Sequence, residues 1–266
     1  MNISEITLFL ETLAPLDFQE DYDNCGLILG EGGDPCLGIL ISLDTTEAVI
    51  QEAVQRNCNL VISHHPLIFR GLKQINAGTG TGRTVMAALR HGVAVFAMHT
   101  NLDSVLSGVN GAMADKLGLV NRRLLLQKPG SGPGNRGEPG SGLIGELSDL
   151  ISEMEFLARV REKFGIPAIR HSRLTGRPVQ RVALCGGAGS FLIINALLEK
   201  ADFFVTADIR YHEFFEADGK LVLADIGHYE SEQFTVDLLH DAIQKKFPNF
   251  AVLKAGTATN PVHYYL

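Results

Sequence analysis

Short, wholly apolar segments alternate with helical patterns along most of this chain. Leu37–Leu43, Leu60–Ser63 and Val93–Met98 consist almost entirely of apolar residues, which is typical of strands that are buried on both faces. Apolar residues recur at helical spacing over Ser4–Leu13, and further helical patterns separate the apolar runs. This alternation predicts an α/β fold of mostly parallel sheets that are covered by helices.

The second half of the chain repeats this pattern after a break. Three more strands are predicted over Val179–Cys185, Phe203–Thr206 and Leu221–Ala224, and a long helix over Ser231–Phe247. In the segment Pro129–Gly142, nine of fourteen residues are Gly or Pro, which favours a flexible connection between two lobes. The alternative is a long surface loop within one domain. We expect two α/β lobes of similar topology, one of residues 1–128 plus 228–266 and the other of residues 129–227.

Composition excludes several classes of protein. The chain has 266 residues and a formal net charge of -7, so it lacks the excess of Lys and Arg that is expected of a nucleic-acid-binding protein. It contains no run of about 18 apolar residues, and Met1–Leu16 has no Lys or Arg, so we expect neither a membrane span nor a signal peptide. The four cysteines form no C-x-x-C pair. These features predict a cytoplasmic protein with reduced thiols.

Polar side chains follow the predicted strands at their carboxyl ends, where α/β sheets bind ligands. Four of these strands are followed by histidine and acidic residues. They are, in chain order, His64 and His65, His99 and Asp103, Asp208 and His212, and His228 and Glu232. Side chains from four strands can therefore meet at one rim. His99, Asp208 and His212 are candidates for a general acid or base.

Some of these residues have the chemistry of a metal site. His64 and His65 can converge because Pro66 ends their strand, and His228 and Glu232 lie four residues apart on one helix face. Alone, each pattern has a simpler explanation, such as a solvated helix face or, for Asp103, a turn. Together they exceed the three ligands of a catalytic zinc site and suit two ions bridged by a carboxylate. Mixed nitrogen and oxygen ligands favour Zn, Fe, Mn, Co or Ni. The predicted metal ligands are His64, His65, Asp103, His228 and Glu232.

Seven short motifs resemble those of one family, and they occur in the family's order. They are Asp23–Leu27, Ser42–Thr46, Ser63–Pro66, His99–Asp103, Cys185–Ser190, Asp208–His212 and Gly227–Glu232. The family is the NIF-three-like (NGG-interacting-factor-like) family of dinuclear-metal-centre hexameric proteins. Many of its members carry the name GTP cyclohydrolase I type 2 homolog.

The resemblance implies properties that the residues alone do not give. It implies a pair of divalent metal ions on the five predicted ligands, in a metal-binding lobe that shares a cleft with the second lobe. It also implies a toroidal homohexamer. The activity that it suggests is metal-dependent hydrolysis of a nucleotide or another anionic small molecule, of which opening of the GTP ring is one example. Metal storage or delivery, or an adaptor role, is the alternative.

Overall fold

The computed structural model of the chain describes residues 1–128 and 139–265. The chain forms two compact units. The first unit consists of Met1–Leu102 with Thr235–His263, and the second consists of Asp103–Phe234 with Tyr264–Leu266. The first unit is thus built from both ends of the sequence.

Helices and strands alternate through much of the described ranges, as the sequence predicts. The α-helices there are α1 (Ile3–Leu13), α2 (Glu47–Gln55), α3 (Gly80–His91), α4 (Thr100–Asp103), α5 (Val109–Leu117), α6 (Glu153–Phe164), α7 (Ile193–Leu198), α8 (His228–Glu232) and α9 (Thr235–Lys246). The strands are β1 (Gly26–Leu29), β2 (Ile39–Ser42), β3 (Leu60–Ser63), β4 (Ala94–Ala97), β5 (Val120–Gln127), β6 (Gly140–Ile151), β7 (Arg170–His171), β8 (Val179–Ala188), β9 (Phe203–Ala207), β10 (Val222–Asp225) and β11 (Val252–Lys254). None of the described helices is long and apolar enough to cross a membrane.

The sheet of the first unit has the strand order β1-β4-β3-β2-β11. Strands β4, β3, β2 and β11 pair in parallel, and only β1 is antiparallel to its neighbour. Every residue of β2, β3 and β4 is buried, because helices cover the sheet and strand residues such as Leu40, Val61 and Val95 pack into its core. The parallel sheet predicted for this half is confirmed. Its carboxyl edge places the ends of β3 and β4 side by side.

The sheet of the second unit has the order β5-β6-β8-β9-β10-β7 and differs from the predicted topology. Strands β8, β9 and β10 pair in parallel, but β5–β6, β6–β8 and β10–β7 are antiparallel. The sequence pattern did not indicate β5 and β6, because β5 is largely exposed and β6 begins within the Gly/Pro-rich segment. The α/β class is confirmed, whereas this second sheet is mixed and not mostly parallel.

The Gly/Pro-rich segment Pro129–Gly142 connects two neighbouring strands of the second sheet. Residues 129–138 lie outside the described residues, and 140–142 begin β6. Strand β5 pairs with β6, and Lys128 N donates a hydrogen bond to the carbonyl of Pro139. This pairing places residues 103–128 in the second unit, whereas the sequence-based division placed them in the lobe of residues 1–128 plus 228–266. Residues 228–234 also belong to the second unit. The single helix predicted over Ser231–Phe247 is replaced by two helices, α8 and α9.

Candidate metal centre

Three imidazoles gather at the carboxyl edge of the first unit's sheet. His64 and His65 follow β3, and His99 follows β4. The ring centroids are 4.9 Å apart for His64 and His65, 5.2 Å for His64 and His99, and 5.4 Å for His65 and His99. One nitrogen of each ring lies within 4.8 Å of the others, so the group could hold a metal ion. His99, which the sequence suggested as an acid or base, therefore lies among the predicted ligands of this unit.

An oxygen atom contacts the Nδ1 atom of each ring in this group. The three contacts are His64 with the Met98 carbonyl at 2.7 Å, His65 with Asp44 Oδ1 at 2.7 Å, and His99 with Asp23 Oδ1 at 2.8 Å. An acceptor at this position fixes the neutral ring with its proton on Nδ1, so Nε2 carries the lone pair. Metal-binding histidines are held in this way by a carboxylate or a backbone carbonyl. The donor set therefore fits a transition-metal ion.

Asp23 is a functional candidate to which the sequence gave no separate role. Its side chain is fully buried. Burial alone would raise the pKa of this carboxyl, but hydrogen bonds from His99, Thr100 and Cys25 outweigh it and hold the pKa well below its usual range. Asp23 is therefore an ionised carboxylate that orients the His99 ring. In the sequence, Asp23 appears only as part of the motif Asp23–Leu27, and no local pattern connects it with a histidine so far along the chain.

The second unit holds a separate imidazole–carboxylate group at the start of α8. Nε2 of His228 lies 3.1 Å from Oε2 of Glu232, and Nδ1 lies 2.7 Å from Oδ2 of Asp208. The hydrogen bond to Glu232 outweighs the burial of the ring and, together with the Asp208 carboxylate, raises the pKa of His228 to about 9. As in the first unit, an oxygen atom lies against Nδ1 of the ring. Asp208 therefore orients the His228 ring.

Two glycines in β8 make room for the Glu232 carboxylate. Gly187 has φ +61°, and a Cβ atom there would clash with Oε1 of Glu232 and approach Cε1 of His228 to 3.3 Å. A Cβ atom on Gly186 would meet Val109 at 2.8 Å and Glu232 at 3.5 Å. The absence of side chains at these two glycines thus leaves room for the Glu232 carboxylate of α8.

Asp103 ends α4 in the second unit. The Asn110 amide donates a hydrogen bond to its backbone carbonyl at 3.0 Å. Burial, and then the charges of Asp103 and Glu232, raise the pKa of the Cys185 thiol above its usual range. Of the five predicted ligands, the structure brings together His64 and His65 in the first unit, and His228 and Glu232 in the second. The role of Asp103 as a ligand stays a prediction.

His212 lies in a different setting from the other candidates. It belongs to an exposed 3₁₀ helix, Tyr211–Ala217. Its ring contacts Tyr211 at a centroid distance of 5.1 Å and stacks on Phe215 at 6.4 Å. Its role as a general acid or base stays a prediction.

The fold and these groups define an α/β protein with imidazole and carboxylate side chains that could hold a metal ion. A family model described as Duf34/NIF3 (NGG1p interacting factor 3) matches residues 1–261, and the chain belongs to this family. A protein of Clostridium perfringens named GTP cyclohydrolase 1 type 2 homolog is 31% identical over 235 residues, which cover 87% of each chain. A Streptomyces coelicolor protein of the same name is 33% identical over 236 residues, covering 86% of this chain and 81% of its own. The resemblance stated from the motifs is confirmed.

Solved structures agree with this assignment. Protein SA1388 of Staphylococcus aureus superposes with a TM-score of 0.89 at 27% identity and covers 100% of this chain and 99% of its own. A Bacillus cereus protein related to NIF3 has a TM-score of 0.91 at 23% identity, with the same coverage. The second likeness concerns the fold alone.

Proposed function

We propose that this chain is a dinuclear metal-binding protein and a metal-dependent hydrolase of a nucleotide or another anionic small molecule. The ligands are His64, His65, Asp103, His228 and Glu232, and the ions are two divalent transition metals such as Zn, Fe, Mn, Co or Ni. The observation that carries the proposal is the hydrogen bonding of the imidazoles. Each histidine ligand has an oxygen atom against Nδ1 that orients its ring, and Nε2 of His228 faces Glu232, another of the proposed ligands.

In the proposed reaction the metal ions and the side chains have different roles. Two bound ions would supply Lewis acidity toward the substrate and lower the pKa of water at the site. His99 is the residue best arranged to transfer a proton, because Asp23 orients its ring through the contact at Nδ1. Asp208 acts on His228 and orients it. GTP is the first substrate to test, since the relatives carry the name of a GTP cyclohydrolase.

The metal centre is tested by metal content. The protein is purified without an affinity tag or chelator, and metal per chain is measured by mass spectrometry. We expect about two transition-metal ions per chain, lost in the double variant His64→Ala, His228→Ala. The matched control is His240→Ala, which removes a histidine of α9 whose ring pairs with the exposed Asp241. Near-zero metal in the wild type, with no uptake of added Zn or Mn, would overturn the proposal.

Hydrolase activity needs a separate test. Asp103→Ala is expected to abolish turnover of GTP or of another anionic substrate found by screening, while circular dichroism shows an intact fold. Turnover at the wild-type rate in this variant would exclude the proposed mechanism. If metal binds and no substrate turns over, transfer of the metal to an apo-acceptor protein tests the alternative of storage or delivery. An adaptor role predicts neither turnover nor transfer.

The proposal extends to assembly and location. We propose a homohexamer, and the support on this chain is a row of exposed apolar side chains on one helical face, namely Phe191, Ile194 and Leu198. We also propose a cytoplasmic location, with which the four free cysteines are consistent. Light scattering after size-exclusion chromatography gives the mass of the assembly directly.

A further inference from the structure

A cavity of about 710 Å³ opens in the second unit. It is lined by the residues of β7 and the two that follow them, and by residues of the 3₁₀ helix Tyr211–Ala217 and the turn after it. Cavities that bind small molecules have volumes of roughly 300–1,000 Å³, so this space is large enough for a mononucleotide. None of the five predicted metal ligands is among the described residues that line it. The cavity is therefore a separate candidate for ligand binding.

Three aromatic side chains line this cavity. Phe214 is partly buried and packs against the core of the second unit, whereas Tyr211 is 71% exposed and Phe215 is 67% exposed. The rings of Tyr211 and Phe215 contact each other edge to face, with centroids 5.6 Å apart. Large aromatic side chains that stay exposed together forgo the free energy of burial, and in a concave surface they are typical of a ligand site. These rings are available to stack on a planar group of a ligand.

Arg170 adds a planar cationic group to the aromatic lining. Its guanidinium carbon lies 5.2 Å from the centroid of the Phe214 ring. Its two terminal nitrogens donate hydrogen bonds to Asp225 at 3.0 Å and to the Ile209 carbonyl at 2.9 Å, yet 62% of the side chain remains exposed. A guanidinium plane stacks on aromatic rings. Because Arg170 is already fixed by these contacts, a planar ligand can use it at a small cost in conformational entropy.

Arg173 supplies a positive charge that is not neutralised by the described part of the chain. It lines the cavity and is exposed, and its guanidinium makes no hydrogen bond or ion pair with any described residue. The carboxylate that also lines the cavity, Asp218, is paired with Lys220 at 2.6 Å. The charge of Arg170 is likewise balanced by Asp225. Arg173 therefore leaves an excess positive charge at the cavity, which favours an anionic ligand.

We propose that this cavity binds a planar aromatic anion of the size of a purine mononucleotide. Its ring stacks on Tyr211 and Phe215, and its negatively charged group pairs with Arg173. A long polyanion such as a nucleic-acid strand fits less well, because the chain has a formal net charge of -7. The assignment goes beyond the proposed function and does not depend on it, since no metal ligand takes part.

Calorimetric titration of the full chain, after removal of metal by a chelator, tests the proposal with three probes. Adenosine monophosphate (AMP) has both an aromatic ring system and a phosphate. Adenosine lacks the phosphate, and ribose phosphate lacks the ring. We expect saturable binding of AMP and weaker binding of the other two, because each of them keeps only one of the two interactions.

Arg173→Gln tests the ionic contact. It is expected to weaken binding of AMP by about tenfold, since a charge-assisted hydrogen bond is lost, and to leave binding of adenosine unchanged. The matched control is Arg161→Gln, because Arg161 is an exposed residue in the last turn of α6 and lies outside the cavity lining. That variant is expected to bind AMP like the wild type.

Tyr211→Leu tests the stacking contact. It is expected to weaken binding of AMP and of adenosine by about threefold to tenfold and to leave binding of ribose phosphate unchanged. The exposed position of Tyr211 makes loss of the fold an unimportant concern, which circular dichroism checks. The matched control is Tyr265→Leu, since Tyr265 is fully exposed and lies outside the cavity lining.

Several outcomes would overturn the assignment. Absence of saturable AMP binding, or equal AMP affinity in the wild type, Arg173→Gln and Tyr211→Leu, would do so. AMP binding that is lost in the double variant His64→Ala, His228→Ala but unaffected by Arg173→Gln would place the nucleotide at the metal centre instead. An adenine oligonucleotide that binds at least about tenfold more tightly than AMP would assign the surface to a nucleic-acid strand.

A second copy of the chain is the other possible occupant, and it has its own signature. If Tyr211→Leu lowers the mass of the assembly measured by light scattering, and the wild type binds no AMP, the aromatic side chains belong to an interface between copies and the proposal is wrong. Metal content per chain is expected to be the same in the wild type, Arg173→Gln and Tyr211→Leu, so failure of this proposal and failure of the metal centre are distinguishable.

Discussion

The carboxylate of Asp208 lies 2.7 Å from Nδ1 of His228, and Nε2 of the same ring faces Glu232 at 3.1 Å. Asp208 follows β9 in a left-handed backbone conformation, with φ +54°. A carboxylate at Nδ1 makes the ring a stronger metal ligand and fixes its orientation. Asp208→Asn should keep this backbone conformation, because Asn tolerates a positive φ. We expect this variant to lower metal affinity by about tenfold or more, measured by competition with a chromogenic chelator.

Asp218→Asn is the matched control for this change. Asp218 also has a positive φ, of +47°, but it pairs with Lys220 on the surface of the same unit. Its replacement is expected to leave metal affinity as in the wild type. Equal affinity in Asp208→Asn and the wild type would show that Asp208 does not position the ring.

Gly187 is the position at which a single methyl group should displace a proposed ligand. Gly187→Ala places a Cβ atom against Oε1 of Glu232, in a backbone of φ +61°. We expect loss of metal bound through Glu232 and His228, and a decrease of about 1–2 kcal/mol or more in the free energy of unfolding, from backbone strain and overpacking. Metal content by mass spectrometry and urea unfolding measure the two effects.

Gly219→Ala separates the backbone strain from the clash. Gly219 has nearly the same φ, +64°, and no described atom lies within 4 Å of its added Cβ. We expect a similar strain cost of about 1 kcal/mol and unchanged metal content. If Gly187→Ala keeps its metal as well, the close approach of Glu232 to this glycine has no part in metal binding.

The sequence indicated that His64, His65 and His99 would lie near one another, because that expectation needed only the positions of strand ends. His64 and His99 each follow a buried strand, and β3 and β4 are parallel neighbours, so their carboxyl ends meet at one edge. The sequence did not reveal the oxygen atoms that hold the rings. Asp23 is 76 positions from His99, and Asp44 is 21 positions from His65, so these contacts depend on tertiary structure and leave no local spacing to read.

The second sheet was predicted less well for a related reason. Strands β8, β9 and β10 are buried and apolar, and their positions were found. Strand β5 exposes most of its residues, and β6 begins within the Gly/Pro-rich segment. Their hydrogen bonds are made to each other and to β8, and hydrophobic periodicity carries no information on such partners.

Self-association is expected to depend on the exposed face around α7. Leu198 is 75% exposed, Phe191 is 61% exposed, and both lie on the face that we propose to be buried in a homohexamer. Leu198→Glu would bury an unpaired charge in such an interface, so the mass measured by light scattering should fall below that of the wild-type assembly. Leu8→Glu is the control, since Leu8 of α1 is 61% exposed and lies outside that face. An unchanged assembly in Leu198→Glu would place the interface elsewhere.

Glu52 is expected to link the stability of the first unit to pH. Burial alone would raise its pKa, but hydrogen bonds from Gly256, Thr257 and Arg56 lower it to about 2. Because the folded pKa is depressed, the stabilisation is complete above the ordinary value near 4.5 and is lost as the pH falls toward 2. Glu52→Gln should therefore lower the free energy of unfolding by about 2 kcal/mol at neutral pH, and urea unfolding should show this difference shrinking below about pH 4.5. Glu47→Gln, in the same helix but half-exposed, should cost less than about 1 kcal/mol. A Glu52→Gln difference that stays constant from neutral pH to pH 3 would contradict the assigned role.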